Sequence, residues 1–218
     1  MPLNMTRILA IRHGETAWNV DTRIQGQLDI ALNDTGRGQA ARLARALAAR
    51  GEPLAAVYSS DLQRAWDTAR ALAEATGAPL VPHTGLRERH FGRLQGLTYA
   101  DIAARHPEDA QRWRMRDPHW VPEGGESLHA LHQRVLQTVH ALAAAHPGEQ
   151  IAIVSHGGVL DSLYRAAVGI ELSAPRTWKI TNTAVHRFLR SGEALTLLAW
   201  GDTSHLDEAD AVLDERAG

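Results

Sequence analysis

Two histidines each follow a short apolar run and precede a glycine. His13 stands in Arg12-His13-Gly14-Glu15 after residues 8–11, and His156 in Ser155-His156-Gly157-Gly158 after residues 151–154. A neutral imidazole is a nucleophile when its second nitrogen keeps a proton on a fixed acceptor. Arg12 sets beside His13 a planar guanidinium whose fork matches phosphate oxygens, and Gly14 would let a ligand approach the backbone closely. At His156, a helix opening at Gly157-Gly158 would add free N–H groups and positive potential, again suited to an anion. Arg64, in Ser60-Asp61-Leu62-Gln63-Arg64-Ala65, and Glu88, in Leu86-Arg87-Glu88-Arg89-His90-Phe91-Gly92, read singly as a solvated helix arginine and an ordinary loop carboxylate. Ser155 is not read as a nucleophile. Ile153 occupies the first glycine position of a Gly-x-Ser-x-Gly elbow.

The elements that must position these groups alternate. Short apolar runs at 7–12, 55–59, 79–83 and 150–155 predict strands, and residues 36–50, 61–76 and 128–145 predict helices, with another opening at Gly157. Asn33-Asp34-Thr35 offers capping chemistry for the first helix, and Gly51 and Gly77 close the first two. Leu128, Leu131, Val135, Val139 and Leu142 recur at three- and four-residue spacing, the mark of an amphipathic helix. Residues 184–189 and 194–200 flank Ser191-Gly192 as a closing hairpin. Between them, 85–125 is rich in arginine, tryptophan, proline and glycine, with short helices expected at 98–105 and 108–116. Such a stretch reads as a lid or insertion over a site. Residues 202–218 read as an acidic, partly flexible tail. The expected whole is one domain over 1–218. It is a three-layer α/β/α sandwich with a mostly parallel central sheet, in which ligands sit beyond the carboxyl ends of the strands. His13 and His156 both fall there.

Composition narrows the partners. At 218 residues, 44% hydrophobic and 22% charged, the chain has the make-up of a single globular domain. A formal charge of −2 gives no general attraction to nucleic acid or an anionic membrane, so an anion site must be built locally. No cysteine is present, which excludes a disulfide framework and a thiolate zinc site and fits a reducing, cytoplasmic setting. The first residues show no basic segment followed by a long apolar core. Gly36-x-Gly38-x-x-Ala41 imitates a dinucleotide fingerprint, but a turn precedes it rather than a strand. His129 and His132 share a helix face without an evident third ligand and read as solvated. Trp113 and Trp120 read as packing residues that could also line a pocket, and Arg105, Arg112, Arg114 and Arg116 as a cationic group of which one or two could meet a second anion on a substrate.

Taken in order, these pieces resemble the histidine phosphatase superfamily, the phosphoglycerate mutase-like branch. The resemblance rests on Arg12-His13-Gly14-Glu15-Thr16 with Asn19, Gln25-Gly26, Leu32-Asn33 and Gly36. It continues through Ser59-Ser60-Asp61-Leu62 with Arg64-Ala65, Glu88-Arg89-His90-Phe91-Gly92, Glu123-Gly124-Gly125-Glu126-Ser127, Val154-Ser155-His156-Gly157-Gly158 and Asn182-Thr183. It implies that His13 becomes phosphohistidine, and that Arg12, Arg64 and His156 hold the non-bridging oxygens. Asn19, Gln25, Gly26 and Gly157 would complete the phosphate pocket. Glu88 would protonate the leaving oxygen and then deprotonate water, its hold on the proton strengthened by the nearby phosphate anion. No metal or other cofactor is called for, the partner is a small phosphorylated metabolite, and a homodimer is a plausible assembly. Mutases of the family share Glu88-Arg89-His90 but continue with Gly-Leu-Asn-Lys and a longer basic lid, whereas this chain has Gly96-Leu97-Thr98-Tyr99 and a short stretch before Glu126. That pattern resembles the phosphatases, although many of those carry glutamate where this chain has Gln95. The alternatives are a 2,3-bisphosphoglycerate-dependent phosphoglycerate mutase and a non-catalytic module that binds a phospholigand on the same fold.

Overall fold

A computed structural model describes residues 5–206. Strand β1 (Met5–Arg12) leads through a one-turn helix α1 (Ala17–Val20) to helix α2 (Asp34–Ala49) and strand β2 (Ala56–Ser59). Helix α3 (Gln63–Thr76) and strand β3 (Leu80–Pro82) follow. Helices α4 (Tyr99–Arg105) and α5 (Pro107–Arg114) precede the long helix α6 (Leu128–Ala144). Strand β4 (Gln150–Ser155), helix α7 (Gly157–Val168) and the hairpin β5 (Val185–Ser191) and β6 (Ala194–Asp202) complete the order. The sheet runs β3-β2-β4-β1-β5-β6, parallel through β3, β2, β4 and β1, with β5 antiparallel to both of its neighbours. The last parallel strand in sequence, β4, lies between β1 and β2. Register places Arg12 opposite Ser155, so His13 and His156 leave adjacent strands at the same level.

Alternation along the strands divides the core between two faces. Leu9, Ile11, Ala152 and Val154 pack with Leu43 and Leu47 of α2 and Ala65, Ala69 and Leu72 of α3. Ile8, Ala10, Ile151 and Ile153 point the other way, against Leu131, Val135 and Val139 of α6 and Val159 and Leu163 of α7. The result is the expected three-layer sandwich. Each fully buried Leu, Ile or Val contributes about 1.5–3 kcal/mol of transfer free energy. Part of 85–125 builds a third, smaller cluster from Leu94, Ile102 and Ala110 with Phe91, Trp113 and Trp120. No helix among the described residues is long and apolar enough to cross a membrane.

Three local expectations change. Helix α3 starts at Gln63 rather than Asp61, because Asp61 takes both nitrogens of the Arg87 fork while Asp29, far away in sequence, caps the Gln63 N–H at 2.7 Å. Helix α5 stops at Arg114 rather than Arg116, whose backbone turns left-handed at φ 48°. The one-turn α1 was not foreseen; it is fixed by a capping box between Thr16 and Asn19. Of the tail from 202, Asp202 ends β6, and residues 207–218 lie outside the described residues.

Candidate active site

The carboxyl end of β1 is held by both neighbouring strands and by the turn before β5. His13 N–H donates to the Ser155 carbonyl at 2.9 Å, Thr183 N–H donates to the Arg12 carbonyl at 3.0 Å, and Asn182 Nδ2 donates to the His13 carbonyl at 2.9 Å. Thr183 itself sits at φ 57°, an unusual conformation for a β-branched residue. Gly14 serves packing rather than the approach of a ligand. A Cβ there would lie 2.6 Å from the Gly36 carbonyl oxygen, and one on Gly36 would lie 2.1 Å from that of Glu15. The two glycines let the start of α2 press against the loop carrying the histidine.

The His13 side chain has a defined tautomer. Its Nδ1 lies 2.7 Å from the Gly14 carbonyl, which can only accept, so Nδ1 carries the proton and Nε2 keeps a lone pair. Burial, followed by the Arg64 and Arg12 charges, lowers its pKa well below 6.5, against the opposing pull of the Gly14 carbonyl. The imidazole is neutral at pH 7. His156 lies against it, ring centroids 5.2 Å apart, fully buried, with neither ring nitrogen hydrogen-bonded to a described residue. Burial, Arg64 and His13 also lower its pKa well below 6.5. His156 is therefore a neutral imidazole at pH 7.

The two arginines are fixed by backbone carbonyls. Arg12 Nη1 donates to Ile180 at 2.7 Å; Arg64, in the first turn of α3, donates through Nη1 to Leu28 at 2.9 Å and through Nη2 to Gly26 at 2.7 Å. Both are almost completely buried. Guanidiniums anchored this way lose little freedom when an anion arrives. Asn19 Oδ1 accepts from Thr16 N–H at 3.0 Å, from the Thr16 hydroxyl at 3.2 Å and from Asn182 Nδ2 at 3.4 Å. Glu88 reaches in from beyond a short 3-10 turn. Its Oε2 accepts from the Gly158 N–H at the start of α7 (2.9 Å) and its Oε1 from the Arg89 N–H (2.7 Å). These bonds fix the carboxyl group over the α7 terminus. Ser155, the rejected nucleophile, donates its hydroxyl to the Leu86 carbonyl at 2.7 Å.

These groups border one cavity of about 420 Å³. Arg12, His13, Asn19, Gln25, Gly26, Arg64, Glu88 and Gly157 all line it, and the His156 ring lies 5.2 Å from that of His13. Gln95 does not line it. Its Oε1 accepts the Gln27 N–H at 2.8 Å, and its side chain fills the space where a Cβ on Gly26 (φ 53°) would go, 2.1 Å away. Gln95 thus props the Gln25-Gly26 loop from outside. Trp113, Trp120, Arg112 and Arg116 line the cavity; Arg105 and Arg114 do not.

Sequence reasoning gave no role to Arg89, Asp161 or Arg176, which also line the cavity. Arg89 donates to the Glu126 carbonyl at 2.7 Å, and its guanidinium lies 5.2 Å from the Phe91 ring and 5.3 Å from the Trp120 ring. Burial lowers its pKa to about 10, against the pull of Glu126 and Glu88, so it stays cationic. Its position beside Glu88 was a signal. Asp161 had one too: it lies four residues after Gly157, on the same face of α7.

Residues 8–203 match the family model of the histidine phosphatase superfamily, branch 1, and the chain belongs to that family. It is 42% identical to "Phosphoglycerate mutase-like protein 4" of Arabidopsis thaliana over 209 residues, covering 94% of this chain and 89% of the relative. It is 37% identical to the "Metal-independent phosphoserine phosphatase" of the same plant, covering 93% and 84%. Among solved structures it superposes on Bacillus stearothermophilus YhfR with a TM-score of 0.85 at 32% identity, covering 93% of this chain and all of that one.

Proposed function

We propose that this protein is a metal-independent phosphomonoesterase that hydrolyses small phosphorylated metabolites through a phosphohistidine on His13. The observation that carries this reading is the state of His13: neutral, protonated on Nδ1, with an Nε2 lone pair in a cavity flanked by Arg12 and Arg64. In the first step Nε2 forms a bond to phosphorus as the P–O ester bond breaks, and protonated Glu88 gives its proton to the departing alcohol oxygen. Arg12, Arg64, the His156 N–H and the Asn19 amide stabilise the charge on the phosphoryl oxygens, with Gln25, Gly26 and Gly157 forming the adjoining wall. In the second step Glu88, now a carboxylate, takes a proton from water, whose oxygen attacks phosphorus as the P–N bond breaks. The sum is ester plus water giving alcohol plus phosphate. The bonds from the Gly158 and Arg89 N–H groups favour the ionised Glu88 of this second step; the phosphate dianion supplies the opposing push in the first. The residues present account for every charge and proton, so no step is assigned to a metal.

Release of inorganic phosphate from a broad panel of metabolite esters tests the reading, with interconversion of 3- and 2-phosphoglycerate in the presence of 2,3-bisphosphoglycerate as the counter-assay. Phosphate release from several esters with negligible interconversion is expected. Interconversion outrunning release would assign a mutase, and no turnover of any ester would leave only a binding module.

A further inference from the structure

The loop that delivers Glu88 runs between two short 3-10 turns, Thr84–Leu86 and Gly92–Leu94. Backbone carbonyls outside helix and sheet must find other partners. Here one side chain of the scaffold takes most of them. Arg134, in the second turn of α6, donates through Nη1 to the Gly85 carbonyl at 2.8 Å and the Arg87 carbonyl at 2.9 Å. Its Nη2 donates to the Glu88 carbonyl at 3.4 Å, which also accepts from Gln27 Nε2 at 3.0 Å. The Leu86 carbonyl accepts from the Ser155 hydroxyl at 2.7 Å. Every carbonyl from 85 to 88 is thus held by a side chain, three of them by Arg134.

The rest of the guanidinium grips Glu126. Nε donates to Oε1 at 3.0 Å and Nη2 to Oε2 at 2.8 Å, a bidentate pair that brings the bonds of Arg134 to five, the number of its N–H groups. Glu126 holds the other flank of the same loop. Its N–H donates to the His90 carbonyl at 2.8 Å, its carbonyl accepts from Arg89 Nε at 2.7 Å, and its Oε2 accepts from the His90 N–H at 3.4 Å. Glu88 is therefore bracketed, by Arg134 on one side and by Glu126 on the other. The pair is not an ordinary helix-surface salt bridge: Glu126 precedes the helix, eight residues before Arg134, and the two side chains are 25% and 17% exposed. Leu131 and Val135 on the same helix are buried in the core, which roots the clamp in the sandwich. Neither Arg134 nor Glu126 lines the cavity.

We propose that Arg134, together with Glu126, is the positioning residue of the general acid. It sets the Glu88 carboxyl at the leaving oxygen while touching no part of the substrate. The inference rests on the phosphomonoesterase reading above, in which Glu88 protonates that oxygen. The bonds from the Gly158 and Arg89 N–H groups orient the Glu88 carboxyl, and Arg134 fixes the backbone from which it projects. A misplacement of about 1 Å costs on the order of 10²-fold in rate. The opposite charges of Arg134 and Glu126 cancel at a distance, so the clamp aims Glu88 without adding a net charge beside it.

A leaving-group comparison on the full chain separates aim from general damage. A misaimed acid slows transfer from esters whose alcohol needs a proton, whereas a disordered site slows transfer from all of them. Arg134→Gln is expected to lower kcat/KM by about 10- to 100-fold with glycerol 3-phosphate and only about 3-fold with p-nitrophenyl phosphate. Arg134→Lys keeps the charge but offers three N–H groups for five bonds, and the same pattern is expected in weaker form. In a Glu88→Gln background, Arg134→Lys is expected to cost little more with glycerol 3-phosphate, because no acid is left to aim. Equal losses with the two esters, no loss with either, or losses that multiply in the double variant overturn the proposal. Should Arg134→Gln fail to fold, Arg134→Lys and the double variant decide by the same criteria. Wild-type protein that releases phosphate from neither ester overturns the phosphomonoesterase reading instead.

Discussion

The near end of the cavity hangs on the sheet and the far end on residues 85–125. At the near end, His13 and Arg12 close β1, His156 closes β4, and Arg64 opens α3; backbone carbonyls hold the Arg12, Arg64 and His13 side chains, and the His156 ring packs against that of His13. At the far end, Trp113, Trp120 and Arg116 depend on a small satellite cluster and on ion pairs that cross to α7. The difference separates two jobs. Bond-breaking needs groups held by the rigid core, whereas choice among substrates can reside in a segment with its own modest packing.

If that division holds, damage at the near end is general and damage at the far end selective. His13→Ala should lower kcat at least about 10⁴-fold for every ester, the scale for removing a covalent nucleophile; steady-state phosphate release measures it, and loss restricted to some esters would blur the division. Glu88→Gln should cost about 10²–10⁴-fold in kcat/KM, which reports the first step, with alkyl phosphates and much less with p-nitrophenyl phosphate, whose phenolate leaves without a proton. Equal losses of kcat/KM with both would remove Glu88 from protonating the leaving oxygen.

The far end should be softer. Trp113 stacks on Phe91 at 4.8 Å and meets Tyr99 and Trp120 edge-on. Trp113→Ala should destabilise by about 1–3 kcal/mol in urea titration, below the value for a core tryptophan because the site is half open. It should raise KM more than it lowers kcat. A collapse of kcat to the level of His13→Ala would show that the two ends are one unit.

Protonation gives a smaller, graded contrast. His186, buried on β5, has its pKa lowered to about 3 by burial, and those of His13 and His156 also fall well below 6.5. Between those values and 6.5 the unfolded chain binds protons that the folded chain refuses. Stability from these groups is thus complete above pH 6.5 and declines as pH falls toward 3, by about 1.4 kcal/mol per pH unit for each histidine. Urea midpoints across that range measure it. Stability that stays flat from pH 6.5 to 5 would contradict the neutral, buried states.

The near end was legible because its determinants are local. An apolar run, a histidine and a glycine sit within a few residues, and β1 and β4 read as strands because both faces are buried. The far end was not. Arg116 and Asp161 meet across 45 residues of sequence, and no periodicity announces which of four arginines turns inward. Helix α3 was placed too early for the same reason: its cap is Asp29, 34 residues away, which no local pattern shows. Gly14 was read for a ligand although the backbone of Gly36 occupies that space. Gln95, an apparent departure in the site, stands behind the wall and holds the Gln25-Gly26 loop through Gln27.

The central claim is that His13 Nε2 takes the phosphoryl group. Rapid acid-free quenching of the protein with a radiolabelled phosphate ester, followed by denaturation and peptide mapping, tests it directly. A single label that is acid-labile and alkali-stable, located on His13 and absent from His13→Ala, is the predicted result. Turnover with no covalent label on the quench timescale, or a label on any other residue, would contradict it.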